Sequence, residues 1–130
     1  MEDNEEGVVG MIRLSLPMPP STNGLFANKK VGGRFKTQAY KSWLQLAGAC
    51  VKDSHRLNLG PYSISIALKR STVSSLSDLT NREKAISDLL VAHGVVKDDR
   101  YCQRLSMHWD EDIDGECVVL IHPFEQGIAA

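Results

Sequence analysis

Residues Met11-Ile12-Arg13-Leu14-Ser15-Leu16 place an apolar side chain at every second position, the pattern of a half-buried strand. Pro17, Pro19 and Pro20 end it, because proline gives a sheet ladder no N–H and stiffens the exit. From Ser21 to Phe35 the chain is rich in Gly, Asn and Lys and predicts a long mobile loop, a feature that usually serves function in a compact domain. The period then changes. Tyr40, Trp43, Leu44, Ala47, Cys50 and Val51 recur at spacings of three and four, which predicts an amphipathic helix from near Thr37 to between His55 and Leu57. The Asn58-Leu59-Gly60-Pro61 break stops it.

Alternation returns at Tyr62, Ile64, Ile66 and Leu68, a second strand, followed by a polar stretch from Lys69 to Ser77. A second helix is expected from about Asp78 to His93, with Ala85, Ile86, Leu89 and Leu90 turned inward and Gly94 as its stop. Lys97-Asp98-Asp99-Arg100 forms a charged connection. Two strands close the chain, about Tyr101 to Trp109 and Glu116 to Ile121, and the turn-rich segment from Asp110 to Gly115 between them predicts a hairpin. The order β-α-β-α-β-β defines an α+β fold, a single domain with a mixed sheet and helices packed on it. Residues 1–9 read as a disordered acidic tail, 10–124 as the domain, and 125–130 as a frayed end.

At 130 residues and 42% hydrophobic, the chain is long and apolar enough for one buried core, which excludes an intrinsically disordered protein. The apolar runs are too short to cross a membrane, so no membrane partner is expected. No leading segment joins a basic start to an apolar core, so the expected location is the cytoplasm. A net charge of -1 argues at first against a nucleic-acid ligand, but the charges are segregated. Residues 1–12 carry Glu2, Asp3, Glu5 and Glu6 without a base, and residues 105–130 carry six acids without a base. All fifteen bases lie between Arg13 and Arg104 beside six acids, a net of about +9. Such a chain can present a cationic face, unless folding pairs the ends back onto the middle.

Cys50, Cys102 and Cys117 are odd in number, lack CxxC spacing and have apolar neighbours, so they read as buried thiols. His55, His93, His108 and His122 form no zinc pattern.

The candidate chemistry lies in Ser77-Asp78-Leu79-Thr80-Asn81-Arg82-Glu83-Lys84, with Asp98-Asp99 following the second helix. For Asp78 the plain reading is an N-cap, since aspartate accepts from free N–H groups and suits the helix dipole. Asp98 and Asp99 read plainly as solvated loop acids, and Lys84 as an exposed helix lysine.

Together these segments resemble the RusA family of Holliday-junction resolvases. The resemblance rests on the proline-rich strand exit running into Ser21-Thr22-Asn23, on a helix-opening D-x-D-N-x-x-K pattern, and on the Asp-Asp pair beyond that helix. It covers about Met11 to Phe124 in the same order of elements. It implies a bacterial or prophage-encoded homodimer that nicks four-way DNA junctions symmetrically in recombination and repair, using Mg²⁺, with Mn²⁺ able to substitute. By residue, it implies Asp78, Lys84 and Asp99 as catalytic, with Asp78 and Asp99 as metal ligands and Asn23 and Asn81 as further motif positions. The sequence departs from the pattern at Thr80, where the family has its second aspartate, and its run of arginines is thinned to Lys69 and Arg70.

Phosphodiester cleavage needs an activated water and charge neutralisation on the phosphoryl oxygens, which hard oxygen ligands and Mg²⁺ supply. Thr80 offers a neutral hydroxyl where a carboxylate would attract a second ion, so the resemblance admits either a junction nuclease or a relative that binds branched DNA without efficient cleavage. Asp98, on a loop, can turn in to compensate. Glu83, about 140° round an ideal helix from Asp78, is expected to face elsewhere. Lys29, Lys30, Arg34, Lys36, Lys41, Lys69 and Arg70 are the expected DNA-backbone contacts. Phe26 and Phe35 either wedge into a crossover or anchor their loop. The competing class is an unrelated α+β binding module whose acids are caps and turns.

Overall fold

The computed structural model describes residues 11–124, so the tails expected at 1–9 and 125–130 lie outside the described residues. β1 (Ile12–Leu16) alternates as its sequence requires, burying Ile12, Leu14 and Leu16 and exposing Arg13 and Ser15. It pairs antiparallel with β6 (Cys117–Pro123), which pairs antiparallel with β4 (Tyr62–Leu68). β5 (Cys102–Trp109) lies parallel to β4 at the sheet edge, giving the order β1-β6-β4-β5. The fold is α+β with a mixed sheet, as the alternation of periods predicts.

One connection differs from the expected hairpin. β5 and β6 do not pair, because β4 stands between them. β4 is the more deeply buried strand, with five of its seven residues buried, so it takes a central position while the more exposed β5 takes the edge. The 110–116 segment carries the chain across the end of β4, and Asp110 N–H donates to Leu68 O (2.8 Å) while Lys69 N–H donates to Glu116 O (2.9 Å). Parallel pairing of β4 with β5 needs a long crossover, which α2 (Glu83–Ala92) supplies.

α1 (Gln38–Gly48) is capped by Thr37, whose Oγ1 accepts from Tyr40 N–H at 3.2 Å. It stops well short of the expected 55–57. Cys50 N–H turns back to Ala47 O (2.9 Å) and Val51 N–H to Gly48 O (3.1 Å), tightening the end, and Val51 packs into the core from the turn. Gly48 lies against the His93 ring, where a Cβ would sit 3.1 Å from Nε2. The periodicity at Cys50 and Val51 therefore continues a core-facing pattern, not a helix. α2 also begins later than expected: Leu79–Arg82 form a 3-10 turn before the α-helix opens at Glu83. Gly94, at φ 72°, ends it as predicted.

The 21–35 segment is not a long irregular loop. It folds into β2 (Phe26–Asn28) antiparallel to β3 (Arg34–Lys36), reversed at Gly32 and Gly33 with φ of 58° and 75°. Phe26 meets Tyr40 edge-on at 5.7 Å, Leu25 is fully buried, and Thr37 N–H donates to Leu25 O (3.0 Å), which tie the hairpin base to α1.

Tyr40, Trp43 and Ala47 of α1 and Ala85, Ile86, Leu89 and Leu90 of α2 share one core with the inward face of the sheet. Cys117 is buried there with its thiol pushed up to about 12 by burial, an inert core residue. No helix among the described residues is long and apolar enough to cross a membrane.

Candidate nucleic-acid interface

Three segments far apart in the chain meet at the opening of α2. The proline exit of β1 reaches it at Pro19, whose O accepts from the Arg82 guanidinium (2.8 Å), which also donates to Ser77 Oγ (3.0 Å), while Pro17 O accepts from Trp43 Nε1–H of α1 (2.9 Å). The Thr22–Gly24 turn reaches it through Thr22 Oγ1, which donates to Asn81 O at 3.1 Å. Asn23 is therefore on the surface beside Asn81, two positions that the resemblance groups across nearly sixty residues.

Asp78 precedes the 3-10 turn with an extended backbone, φ -91° and ψ 133°, as an N-cap should, but its carboxylate makes no capping bond. It accepts instead from Asn81 Nδ2 at 3.3 Å, leaving the carboxylate on the surface. Thr80 is exposed in the same turn.

Lys84 donates to Asp88 Oδ1 at 3.2 Å one turn along α2. That hydrogen bond, with the charges of Asp88, Asp99 and Glu83, raises its pKa and holds it cationic. Asp99 opens a short 3-10 turn after α2, and its charge is among those that act on Lys84. Glu83 and Asp99 also both act on the buried Tyr62 hydroxyl and the Cys102 thiol, raising both pKa values after the larger effect of burial. Glu83 and Asp99 thus bear on the same two groups. A 3-10 turn, which rotates about 120° per residue, separates Asp78 from the start of α2, so the 140° of an ideal helix does not apply between Asp78 and Glu83. Glu83 Oε2 also accepts from Ser87 Oγ. No local sequence signal marks this geometry.

Asp98 caps the turn, accepting from Arg100 N–H at 3.1 Å, and that bond leads the causes that lower its pKa. Its carboxylate is thereby engaged at the cap. The donors Asp78, Asp99, Thr80 and Asp98 are the set that the resemblance offers for Mg²⁺. Among the described residues no three His, Cys, Asp or Glu side chains gather to hold an ion, so this set does not form a metal cage within one chain.

The expected DNA-contacting bases separate into two kinds. Lys29, Lys30, Arg34 and Lys36 all lie on the β2–β3 hairpin and are exposed, with no acid between Phe26 and Lys36. Arg34 stacks over Phe26 at 4.4 Å, which makes Phe26 an anchor, while Phe35 on the other side of the hairpin is 45% exposed. Lys41 is exposed on the first turn of α1. Arg70 is instead committed to structure. It lies 4.5 Å over the Trp109 ring and donates to Ser77 O (2.9 Å) and Ser75 O, closing the 70–77 loop, and the adjacent Lys69 is half-buried.

No family model and no curated protein matches this chain.

Proposed function

We propose that the protein is a RusA-like protein that binds branched DNA, a four-way junction above all, through the opening of α2 and the β2–β3 hairpin, and that it cleaves inefficiently. The convergence of the proline exit, the Thr22–Gly24 turn and the Asp78–Lys84 segment at the opening of α2 carries this reading, because these are the separated segments on which the resemblance rests. The exposed hairpin bases supply the sequence-independent attraction to phosphates that such binding requires. Lys84, held cationic beside Asp88, is a further phosphate contact. A second copy of the chain is the expected partner, since two-fold related cuts need two sites.

The second reading is a Mg²⁺-dependent junction endonuclease, and the exposed Asp78 carboxylate, which makes no capping bond, favours it by leaving an anionic ligand on the surface. A synthetic four-way junction tests both. Binding is measured by gel shift without metal, and nicking with Mg²⁺ or Mn²⁺. The expected result is tighter binding to the junction than to linear duplex at matched salt, with slow or no nicking. Equal affinity for the two DNAs sinks the branched-DNA reading, and rapid symmetric nicking replaces it with the second.

A further inference from the structure

The sheet face opposite the helices carries a charge pattern that the α2 site does not use. Side chains alternate across a strand, so the register sets three rows on this face. One runs Arg13, Leu120, Ser65, Ser106; the next contains His122, Ser63 and Arg104; the third ends at His108. Arg13, Arg104, Ser106 and His122 are exposed, whereas Ala67 and Val118 on this side are buried, outside the core that the helices share with the other face. No Asp or Glu occupies any outward strand position in these rows. At the rim, Asp110 lies 3.7 Å from His108 Nε2.

We propose that this open sheet face binds the phosphate backbone of duplex DNA. Two exposed arginines near opposite edges of the sheet, with serine hydroxyls between them and no acid at the outward strand positions of the described residues, present hydrogen-bond donors suited to phosphate oxygens. Base recognition is the poorer match. A sheet that reads single-stranded nucleic acid presents aromatic rings for stacking, and here Tyr62 and Trp109 belong to the other face. An apolar peptide is also a poor match, because the apolar outward residues Leu120, Val118 and Ala67 are buried or half-buried and leave no exposed hydrophobic ridge. The face lies across the sheet from the α2 site and shares with the proposed function only DNA as ligand.

The test is the Arg13→Ala/Arg104→Ala double variant of the full chain, titrated without metal against linear duplex and a four-way junction over a salt series. Both arginines are exposed, and circular dichroism checks that the fold is kept. The slope of log K against log salt is expected to shrink by about 1.8, near 0.9 per phosphate contact, equally on both DNAs. The Arg13→Lys/Arg104→Lys variant is expected to restore most of that slope. An unchanged slope and affinity overturn the proposal. So does tighter DNA binding by the alanine variant, or a change in its oligomeric state with DNA affinity intact, since these assign the face to an acidic segment or to a second copy. A reduced slope without junction preference in the wild type sinks the branched-DNA reading and supports this one. An unchanged slope with junction preference retained does the reverse.

Discussion

Thr80 is the residue on which cleavage turns. It is exposed in the 3-10 turn, where the resemblance expects a carboxylate, and the donors around it form no metal cage within one chain. Thr80→Asp adds a hard anionic ligand, so nicking of a four-way junction with Mg²⁺ is expected to rise by at least about tenfold, equivalent to about 1.4 kcal/mol of barrier. Asp99→Asn is expected to abolish any nicking while leaving the gel shift intact. No gain from the first variant, with folding unchanged, removes Thr80 from the site. Glu83 marks the limit of reading at this scale. Its chemistry was legible, but its direction depended on a 3-10 turn that no residue type in Asp78–Arg82 dictates.

A second residue-scale expectation concerns pH. His55 Nδ1 accepts from Lys52 N–H at 3.0 Å, a role open to the neutral ring. Burial first, then the charges of Lys52 and Arg56, lowers its pKa from 6.5. The unfolded chain therefore binds the proton more readily, and the stability this ring contributes is full above pH 6.5 and declines as pH falls toward the lower folded value. Urea midpoints at pH 7.5 and 5.5 check it. The wild type is expected to lose stability between them, and His55→Asn, which keeps an acceptor, to lose less; equal losses remove His55 as the cause.

At the scale of elements, β1, β4, the body of α1 though not its end, and the end of α2 were legible because each has a single strong period or a hard stop such as Gly94. Two features escaped for physical reasons. The β2–β3 hairpin is short and mostly exposed, with three-residue strands, so it has too few buried positions to show alternation, and only Gly32-Gly33 hinted at a reversal. The separation of β5 from β6 follows from competition among strands for the middle of the sheet, which local patterns do not encode. The hairpin is also where the main electrostatic attraction is expected. Lys29→Ala/Lys30→Ala/Lys36→Ala keeps Arg34 on Phe26 and so preserves the anchor. The salt slope for DNA binding is expected to fall by up to about 2.7 in this variant. A slope that does not move assigns the attraction elsewhere.

Across the whole molecule, a net charge of -1 conceals a basic middle between two acidic ends, and folding redistributes that contrast in part. Glu116 Oε1 accepts from Met18 N–H at 2.7 Å and Glu111 Oε2 from Ser71 N–H at 3.0 Å, so two acids of the C-terminal block are drawn onto backbone donors beside the body. The bond to Ser71 and nearby Lys69 lower the Glu111 pKa and keep it ionised. Neither acid reaches the hairpin bases in these bonds. The N-terminal acids Glu2, Asp3, Glu5 and Glu6 precede Arg13 by less than a dozen residues, and their charge opposes a polyanionic ligand. Deleting residues 1–10 shifts the formal charge from -1 to about +3, since four acids and no base are lost. Linear-duplex affinity is then expected to rise several-fold at 50 mM salt, mainly through faster association, and to converge with the full chain as the Debye length shortens to about 3 Å near 1 M. A gain that persists unchanged at high salt points to a short-range contact of that segment, and no gain at low salt shows that the local surface charge, not the total, governs the approach to DNA.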